Sequence, residues 1–157
     1  MTFDYTTNLS EVRALAETLA RRAGLAEDRI TDFVIAISEV AANTVSHAHS
    51  AGTMKIWSEA GEIVCEMRDS GVIANPAAAG RQPPTADANG GHGLWLVRQI
   101  CDRVELDSNS SGTVIRLHMS LRPAGPESAG SPGPNGVATA PDVALWRIRS
   151  LLEFYSY

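Results

Sequence analysis

The pattern of apolar and polar positions predicts three helices before residue 122. Residues 9–23 and 30–48 place their apolar side chains three and four positions apart, which is the helical period. Asn8 is suited to cap the first helix, and Asp28 can cap the second with a carboxylate near the positive end of its dipole. A third helical stripe follows the glycine-rich turn at 90–93 and predicts a buried helix there.

Four further segments have the composition of β-strands, and they come in two pairs. Ala60-Gly61 separates the first pair, and a turn from Asn109 to Gly112 separates the second, so each pair predicts an antiparallel hairpin. Hairpins with helices between them predict an α+β fold, a two-layer α/β sandwich whose antiparallel-rich mixed sheet carries the helices on one face. The strands are predicted at 53–59, 62–68, 103–108 and 113–119.

The composition divides the chain into three parts. Residues 1–121 hold the helices and hairpins above and are expected to form one domain. Residues 122–141 are rich in proline and glycine, which is typical of a flexible linker. Residues 142–157 regain an amphipathic helical stripe. This terminal helix can dock on its own domain or on a partner, and we favour its own domain because an exposed stripe with Trp146 and Phe154 would promote aggregation.

Charge and cysteine content exclude several classes of protein. The 157 residues include 13 Lys+Arg and 18 Asp+Glu, and the net charge of −5 argues against nucleic acid or an anionic membrane as the principal partner. Cys65 and Cys101 lie in apolar segments and are expected to be reduced core thiols. We see no signal peptide and no apolar run of the ~20 residues that a membrane span needs. We therefore expect a soluble, cytoplasmic protein.

Four short motifs lie on these elements in chain order. Each alone is weak, since a glutamate and an asparagine one helical turn apart are usually a solvated surface pair. Together they offer a carboxylate for the amine of adenine, glycines that bring backbone amides to phosphates, and an amide oxygen suited to Mg²⁺. The motifs are Glu39 with Asn43, Asp69 with Gly71, Gly91 with Gly93, and Gly112 with Thr113.

In this arrangement the sequence resembles the GHKL, or Bergerat-fold, ATPase superfamily of DNA gyrase, heat-shock chaperone ATPases, histidine kinases and mismatch-repair ATPases. Over residues 8–120 the likeness is greatest to the bacterial anti-sigma-factor serine/threonine kinases. The segment ISEVAANTVSHA looks like their N box, RDSG like the first glycine box, GGHGLWLVRQICDRVEL like the second, and GTVIRLHM like the closing strand. One departure is Ile73, which stands where the first glycine box has its second glycine.

The resemblance implies an ATP- and Mg²⁺-dependent serine/threonine protein kinase. Glu39 would be the general base, Asn43 would hold Mg²⁺, and residues 74–90 would form the ATP lid. The implied partners are a sigma factor, which the protein binds, and an anti-sigma-factor antagonist, which it phosphorylates; the family also suggests a homodimer. The implied nucleotide-binding residues are Asn43, Asp69, Gly71, Gly91, His92, Gly93, Leu94 and Thr113.

Two other functions fit the same motifs. A regulatory module would bind ATP, order its lid and sequester a partner with little or no phosphotransfer. The ATP-binding domain of a histidine kinase is a weaker alternative, because the roughly eight residues before the first helix leave no room for the helical hairpin that carries a phosphorylated histidine. His47 is expected to be structural. Arg81 in the lid can contact the γ-phosphate or a partner, or be solvated, and solvation is the default.

Overall fold

The structure is a computed structural model that describes residues 2–5, 8–45, 51–84 and 92–122. Three helices form one layer and a five-stranded sheet forms the other. The predicted two-layer α+β fold is therefore confirmed. In chain order the elements are β1 (Thr2–Tyr5), α1 (Leu9–Ala23), α2 (Glu27–Asn43), β2 (Gly52–Glu59), β3 (Glu62–Asp69), α3 (His92–Ile100), β4 (Arg103–Asn109) and β5 (Gly112–Ser120).

The five strands lie in the order β1-β2-β3-β5-β4, and every pairing between the described strands is antiparallel. The sheet is therefore more uniformly antiparallel than the mixed sheet that was predicted. Both predicted hairpins are present, and Ala60 and Gly61 turn the first with φ of 51° and 77°, the left-handed pair that suits a two-residue turn. The register sets Asp69 of β3 directly opposite Thr113 of β5.

Strand β1 is an element that the sequence did not predict. Its four residues pair with the edge of β2, with Tyr5 opposite Gly52. A run this short, with a polar residue at every second position, gives little periodicity to detect. The strand matters for the site because it brings Tyr5 into the core, where the side chain is 3% exposed.

The helix ends follow local chemistry, with one correction to the prediction. The side chain of Asn8 accepts a hydrogen bond from the Glu11 amide at 3.4 Å, so the predicted cap of α1 is confirmed. The prediction that Asp28 caps α2 is wrong, because the helix begins at Glu27 and its N-cap residue, Ala26, makes no side-chain hydrogen bond. Asp28 lies in the first turn instead, where its charge still complements the helix dipole.

Helix α2 is the centre of the helical layer and packs against both α1 and α3. Its residues Phe33, Ile37 and Val40 are at most 1% exposed. Alternate residues of β3, including Cys65 and Met67, complete the same core from the sheet side. Burial at this depth fixes α2 rigidly against the sheet, so polar side chains at its C-terminal end are held in place.

Both cysteines are buried free thiols, as the sequence predicted. Burial raises the pKa of Cys65 well above its usual value and that of Cys101 to about 12. Neither thiol is therefore ionised near neutral pH. Within the described part of the chain, no helix is both long enough and apolar enough to cross a bilayer.

Several predicted features fall outside the described residues. They include His47, the last six residues of the predicted lid at 85–90, and Gly91. Residues 123–157 also lie outside, and they hold nearly all of the predicted linker and the terminal helix. The domain boundaries at 121 and 141 therefore stay predictions.

Candidate active site

A cavity of about 480 Å³ opens between the C-terminal half of α2, the end of β3, the start of β5 and the start of α3. Its volume is within the range of small-molecule sites. Five of the predicted nucleotide-binding residues line it, namely Asn43, Asp69, Gly71, Leu94 and Thr113. The remaining lining residues are Val40, Val72, Ile73, Ala79, Gly80 and Ile115.

Hydrogen bonds fix the loop that follows β3. The Gly71 amide donates to Oδ1 of Asp69 at 2.8 Å, and the Thr113 hydroxyl donates to the Gly71 carbonyl oxygen at 2.8 Å. Because Thr113 uses its hydrogen in this way, the Ser108 hydroxyl, 2.8 Å away, donates to it. Ser108 in turn accepts from the Ile73 amide at 2.8 Å. The isoleucine that departs from the family pattern thus takes part through its backbone.

Gly112 allows the last strand to approach the backbone of Asp69. Its φ is +132°, and a Cβ atom added there would overlap the carbonyl oxygen of Asp69. A side chain at this position would therefore both strain the backbone and push β5 away from β3. Gly112 is therefore needed for the close approach of β5 to β3, in addition to its place in the hairpin turn.

Glu39, Asn43 and Gly93 meet where α2 faces the start of α3. A Cβ atom built on Gly93 would lie 2.7 Å from Oε2 of Glu39 and 3.4 Å from Nδ2 of Asn43. Both polar side chains are half-buried, whereas Gly93 is buried. The two residues that stand one turn apart in the sequence therefore project toward the same helix N-terminus, beside the cavity.

The described part of the predicted lid, residues 74–84, lies against α3. Gly80 has φ of +71°, and a Cβ atom on it would lie 2.6 Å from the carbonyl carbon of Leu94. Nε of Arg98 donates to the Ala79 carbonyl oxygen at 2.8 Å. Burial, followed by the nearby charge of Arg81, lowers the pKa of Arg98. These contacts join the mouth of the cavity to the helix that carries Gly93.

The predicted Mg²⁺ ligand, Asn43, lies in the wall of the cavity. Among the residues that the structure describes, no group of three or more His, Cys, Asp or Glu side chains is arranged to hold a metal. Asn43 presents an amide to the cavity. A Mg²⁺ ion bound with a nucleotide takes one or two protein oxygens and fills its other positions with water and phosphate oxygens, so this donor set fits it.

Two of the predicted site residues cannot be compared with the geometry. Gly91 lies outside the described residues, and His92 begins α3 with a side chain that is not described. In the other direction, the sequence missed three polar residues of the site, Tyr5, Thr44 and Ser108. Thr44 donates to Oδ2 of Asp69 at 2.7 Å. Its place beside Asn43 was the available signal, but its spacing made it look like part of the apolar stripe.

Comparison with known proteins agrees with the predicted fold and family. The family described as "Histidine kinase-like ATPase domain" matches residues 3–119. The serine-protein kinase RsbW of Halalkalibacterium halodurans is 29% identical over 124 residues, which cover 71% of this chain and 75% of that protein.

Two solved structures share the fold. The RsbU and RsbW domains of Rv1364c from Mycobacterium tuberculosis match with a TM-score of 0.54 and 20% identity. The match covers 79% of this chain and 34% of that one, so this chain spans about a third of that structure's length. The catalytic domain of the histidine kinase ThkA matches with a TM-score of 0.50 and 15% identity, covering 77% of this chain and 96% of that domain. At these identities the two structures support the architecture alone.

Proposed function

Because the chain belongs to the histidine kinase-like ATPase (GHKL) family, we propose that it is an ATP-dependent serine/threonine protein kinase of the anti-sigma-factor type. It binds a sigma factor and phosphorylates a serine or threonine of an anti-sigma-factor antagonist. The likeness to RsbW, a serine-protein kinase, supports this finer assignment. The structural observation that most supports ATP-dependent phosphotransfer is that Glu39 and Asn43 both lie against Gly93 beside the cavity.

Adenine binds at the Asp69 end of the cavity in this proposal. Its exocyclic amine donates to the Asp69 carboxylate, and the absence of a side chain at Gly71 lets the ring approach the backbone. Val40, Leu94 and Ile115 supply apolar walls for the faces of a purine. Hydrogen bonds from the Gly71 amide and the Thr44 hydroxyl hold the carboxylate in orientation before the base arrives.

The phosphates lie toward α3. The backbone amides at the start of this helix would donate to the phosphates, and the positive end of the helix dipole favours their negative charge. Gly91 and Gly93 would let the backbone approach the phosphates, as the sequence predicts. His92 and Leu94 belong to the same turn. Asn43 would hold Mg²⁺, which supplies charge neutralisation on the phosphates when it is bound.

Glu39 is the general base of the transfer. The hydroxyl oxygen of the substrate serine or threonine forms a bond to the γ-phosphorus, and the hydroxyl proton passes to the Glu39 carboxylate. The bond between the γ-phosphorus and the bridging oxygen breaks, which releases ADP and leaves a phosphorylated hydroxyl side chain. Glu39 lies one helical turn from Asn43, so the base and the metal ligand are carried by the same rigid helix.

The test is phosphotransfer from γ-labelled ATP to small antagonist proteins encoded near the gene for this chain. Acid-stable label on a partner serine or threonine is the expected result. Tight ATP binding without transfer to any partner would favour the regulatory module instead. Acid-labile label on a histidine would favour a histidine kinase, so the three functions give three different results. A sigma factor that co-purifies with the ATP-bound protein would support the other half of the proposal.

A further inference from the structure

Asp69 is connected to the edge strand β1 by a chain of two hydroxyl groups. Thr44 comes directly after α2, and its hydroxyl oxygen lies 2.7 Å from Oδ2 of Asp69 and 3.1 Å from the hydroxyl oxygen of Tyr5. Thr44 is 2% exposed and Tyr5 is 3% exposed, so the chain is shielded from water. Thr44 is 39 positions from Tyr5 and 25 from Asp69, so the chain joins β1, the end of α2 and the end of β3.

The direction of the hydrogen bonds follows from the acceptors. A carboxylate oxygen only accepts, so Thr44 gives its one hydrogen to Asp69. The alternative acceptor, the carbonyl oxygen of Val40, is farther away at 3.3 Å. With its hydrogen committed, the Thr44 oxygen accepts from Tyr5. The chain therefore runs from Tyr5 to Thr44 to Asp69, with each hydroxyl donating toward the carboxylate.

The backbone is shaped to admit this chain. Tyr5 stands opposite Gly52 in the β1–β2 pairing. A Cβ atom on Gly52 would overlap the phenol ring of Tyr5, so the ring lies directly across the glycine backbone. Any larger residue at 52 would displace the ring and withdraw its hydroxyl from Thr44.

We propose that Tyr5 and Thr44 are positioning residues for nucleobase selection. They act on Oδ2 of Asp69, while the Gly71 amide holds Oδ1 at 2.8 Å. With both oxygens anchored, the carboxylate presents its remaining lone pairs to the cavity in a fixed direction, which suits a donor such as the amine of adenine. A base that carries a carbonyl group in that place meets an acceptor and is rejected. This inference rests on the proposed binding of ATP at Asp69.

The experiment compares the affinities of ATP and inosine triphosphate, whose base has a carbonyl group in place of the amine. The variants are Thr44→Val, which keeps the shape and removes the hydroxyl, and Tyr5→Phe, which removes only the terminal hydroxyl. We expect Thr44→Val to weaken ATP binding about five- to tenfold, the equivalent of one net hydrogen bond, and to change inosine triphosphate binding less than about twofold. Tyr5→Phe should act in the same direction with a smaller effect.

The double variant and a rescue separate positioning from simple loss of structure. Because the two hydroxyls act in series, Tyr5→Phe should add almost nothing in the Thr44→Val background. Thr44→Ser restores the hydroxyl and should restore the preference for ATP. Thermal unfolding of each variant identifies any that has lost its fold. If Thr44→Val is one of them, Tyr5→Phe remains as the variant that removes a hydroxyl from the chain, with Thr44→Ser as the control that keeps both.

Each outcome decides a separate point. If the wild-type chain prefers ATP and the folded variants keep the same ratio of affinities, the positioning role is wrong while the proposed ATP site stands. If the wild-type chain binds neither nucleotide, the proposed ATP site fails and the positioning role fails with it. A fall of the ratio in both single variants, with no further fall in the double variant, supports the inference.

Discussion

Gly93 lies so close to Glu39 that a Cβ atom on the glycine would stand 2.7 Å from the carboxylate oxygen Oε2. The atom that must move is the far end of a flexible side chain, so the fold can adjust at little cost. The rate of phosphotransfer is more sensitive than stability to this shift, because a displacement of about 1 Å in a reacting group costs on the order of 10²-fold in rate.

Gly93→Ala should therefore lower phosphotransfer by about 10²-fold while leaving stability unchanged or slightly higher. Alanine is favoured over glycine in a helix interior by about 1 kcal/mol, and the part of this preference that applies at Gly93, the second residue of α3, offsets any small strain. Transfer assays and thermal unfolding on the same preparation measure the two effects. A folded variant that transfers phosphate at the wild-type rate would remove Glu39 from the role of base.

Gly112 should be less replaceable than Gly61, although both have a positive φ in a hairpin turn. A Cβ atom on Gly61 meets nothing within 4 Å, so Gly61→Ala carries only backbone strain of about 1 kcal/mol. Gly112→Ala adds the overlap with the Asp69 carbonyl oxygen and should cost ~1–3 kcal/mol more. Denaturant unfolding of the two variants measures the difference, which is the destabilisation caused by the close approach of Gly112 to Asp69. Equal losses in the free energy of unfolding would contradict this close approach.

Tyr5 gives the structure a distinct alkaline response. Burial, the largest cause, raises the pKa of its phenol to about 12 from 10.0. Because the folded pKa is higher than the unfolded one, Tyr5 contributes stability that is complete below pH 10 and is lost as the pH rises toward 12. The free energy of unfolding of the wild-type chain should fall more steeply across this window than that of Tyr5→Phe. The difference in phenolate absorbance between the wild-type chain and Tyr5→Phe reports the titration of Tyr5, and we expect this titration above pH 10. Titration of Tyr5 at pH 10 would mean that its hydroxyl is not buried.

The base preference should follow from the carboxylate of Asp69. Guanine has a carbonyl group where adenine has its amine, so Asp69 would face an acceptor and lose a hydrogen bond. Losing the hydrogen bond from the base and placing a second acceptor against the carboxylate costs ~1–3 kcal/mol, or roughly ten- to a hundredfold in affinity. Calorimetry with ATP and GTP measures the difference. Equal affinities would show that Asp69 does not read the base.

The long periodic elements of this fold could be predicted from the sequence because their patterns are local. Both hairpins and the core face of α2 follow from alternation and helical spacing over seven or more residues. Strand β1 could not be predicted in the same way, since four residues carry too little pattern and the strand forms only by pairing with β2. The wrong cap at Asp28 reflects the freedom of a helix to begin a residue or two earlier.

The candidate site was predictable where one motif supplies one chemical group. Asp69 and Thr113 were identified from such motifs and share a cavity in the structure. The residues that orient them were not, because hydrogen bonds such as Tyr5 to Thr44 join elements 39 residues apart. Thr44 was missed for a second reason. Its spacing in the predicted helix 30–48 matches the apolar stripe, and that pattern gives no sign of a hydroxyl that accepts and donates hydrogen bonds.

ATP binding and phosphotransfer should depend on different residues of α2. Asn43→Ala removes a metal ligand and should weaken Mg²⁺-dependent ATP binding by about ten- to a hundredfold. Glu39→Gln keeps the size of the side chain and removes the base, so the variant should bind ATP with wild-type affinity.

The measurement is phosphotransfer from labelled ATP to the antagonist partner, with ATP affinity determined on the same protein. For Glu39→Gln we expect transfer to fall by ~10²–10⁴ with ATP affinity unchanged. Wild-type transfer by folded Glu39→Gln would contradict the account, because the proton of the attacking hydroxyl would then pass to another group.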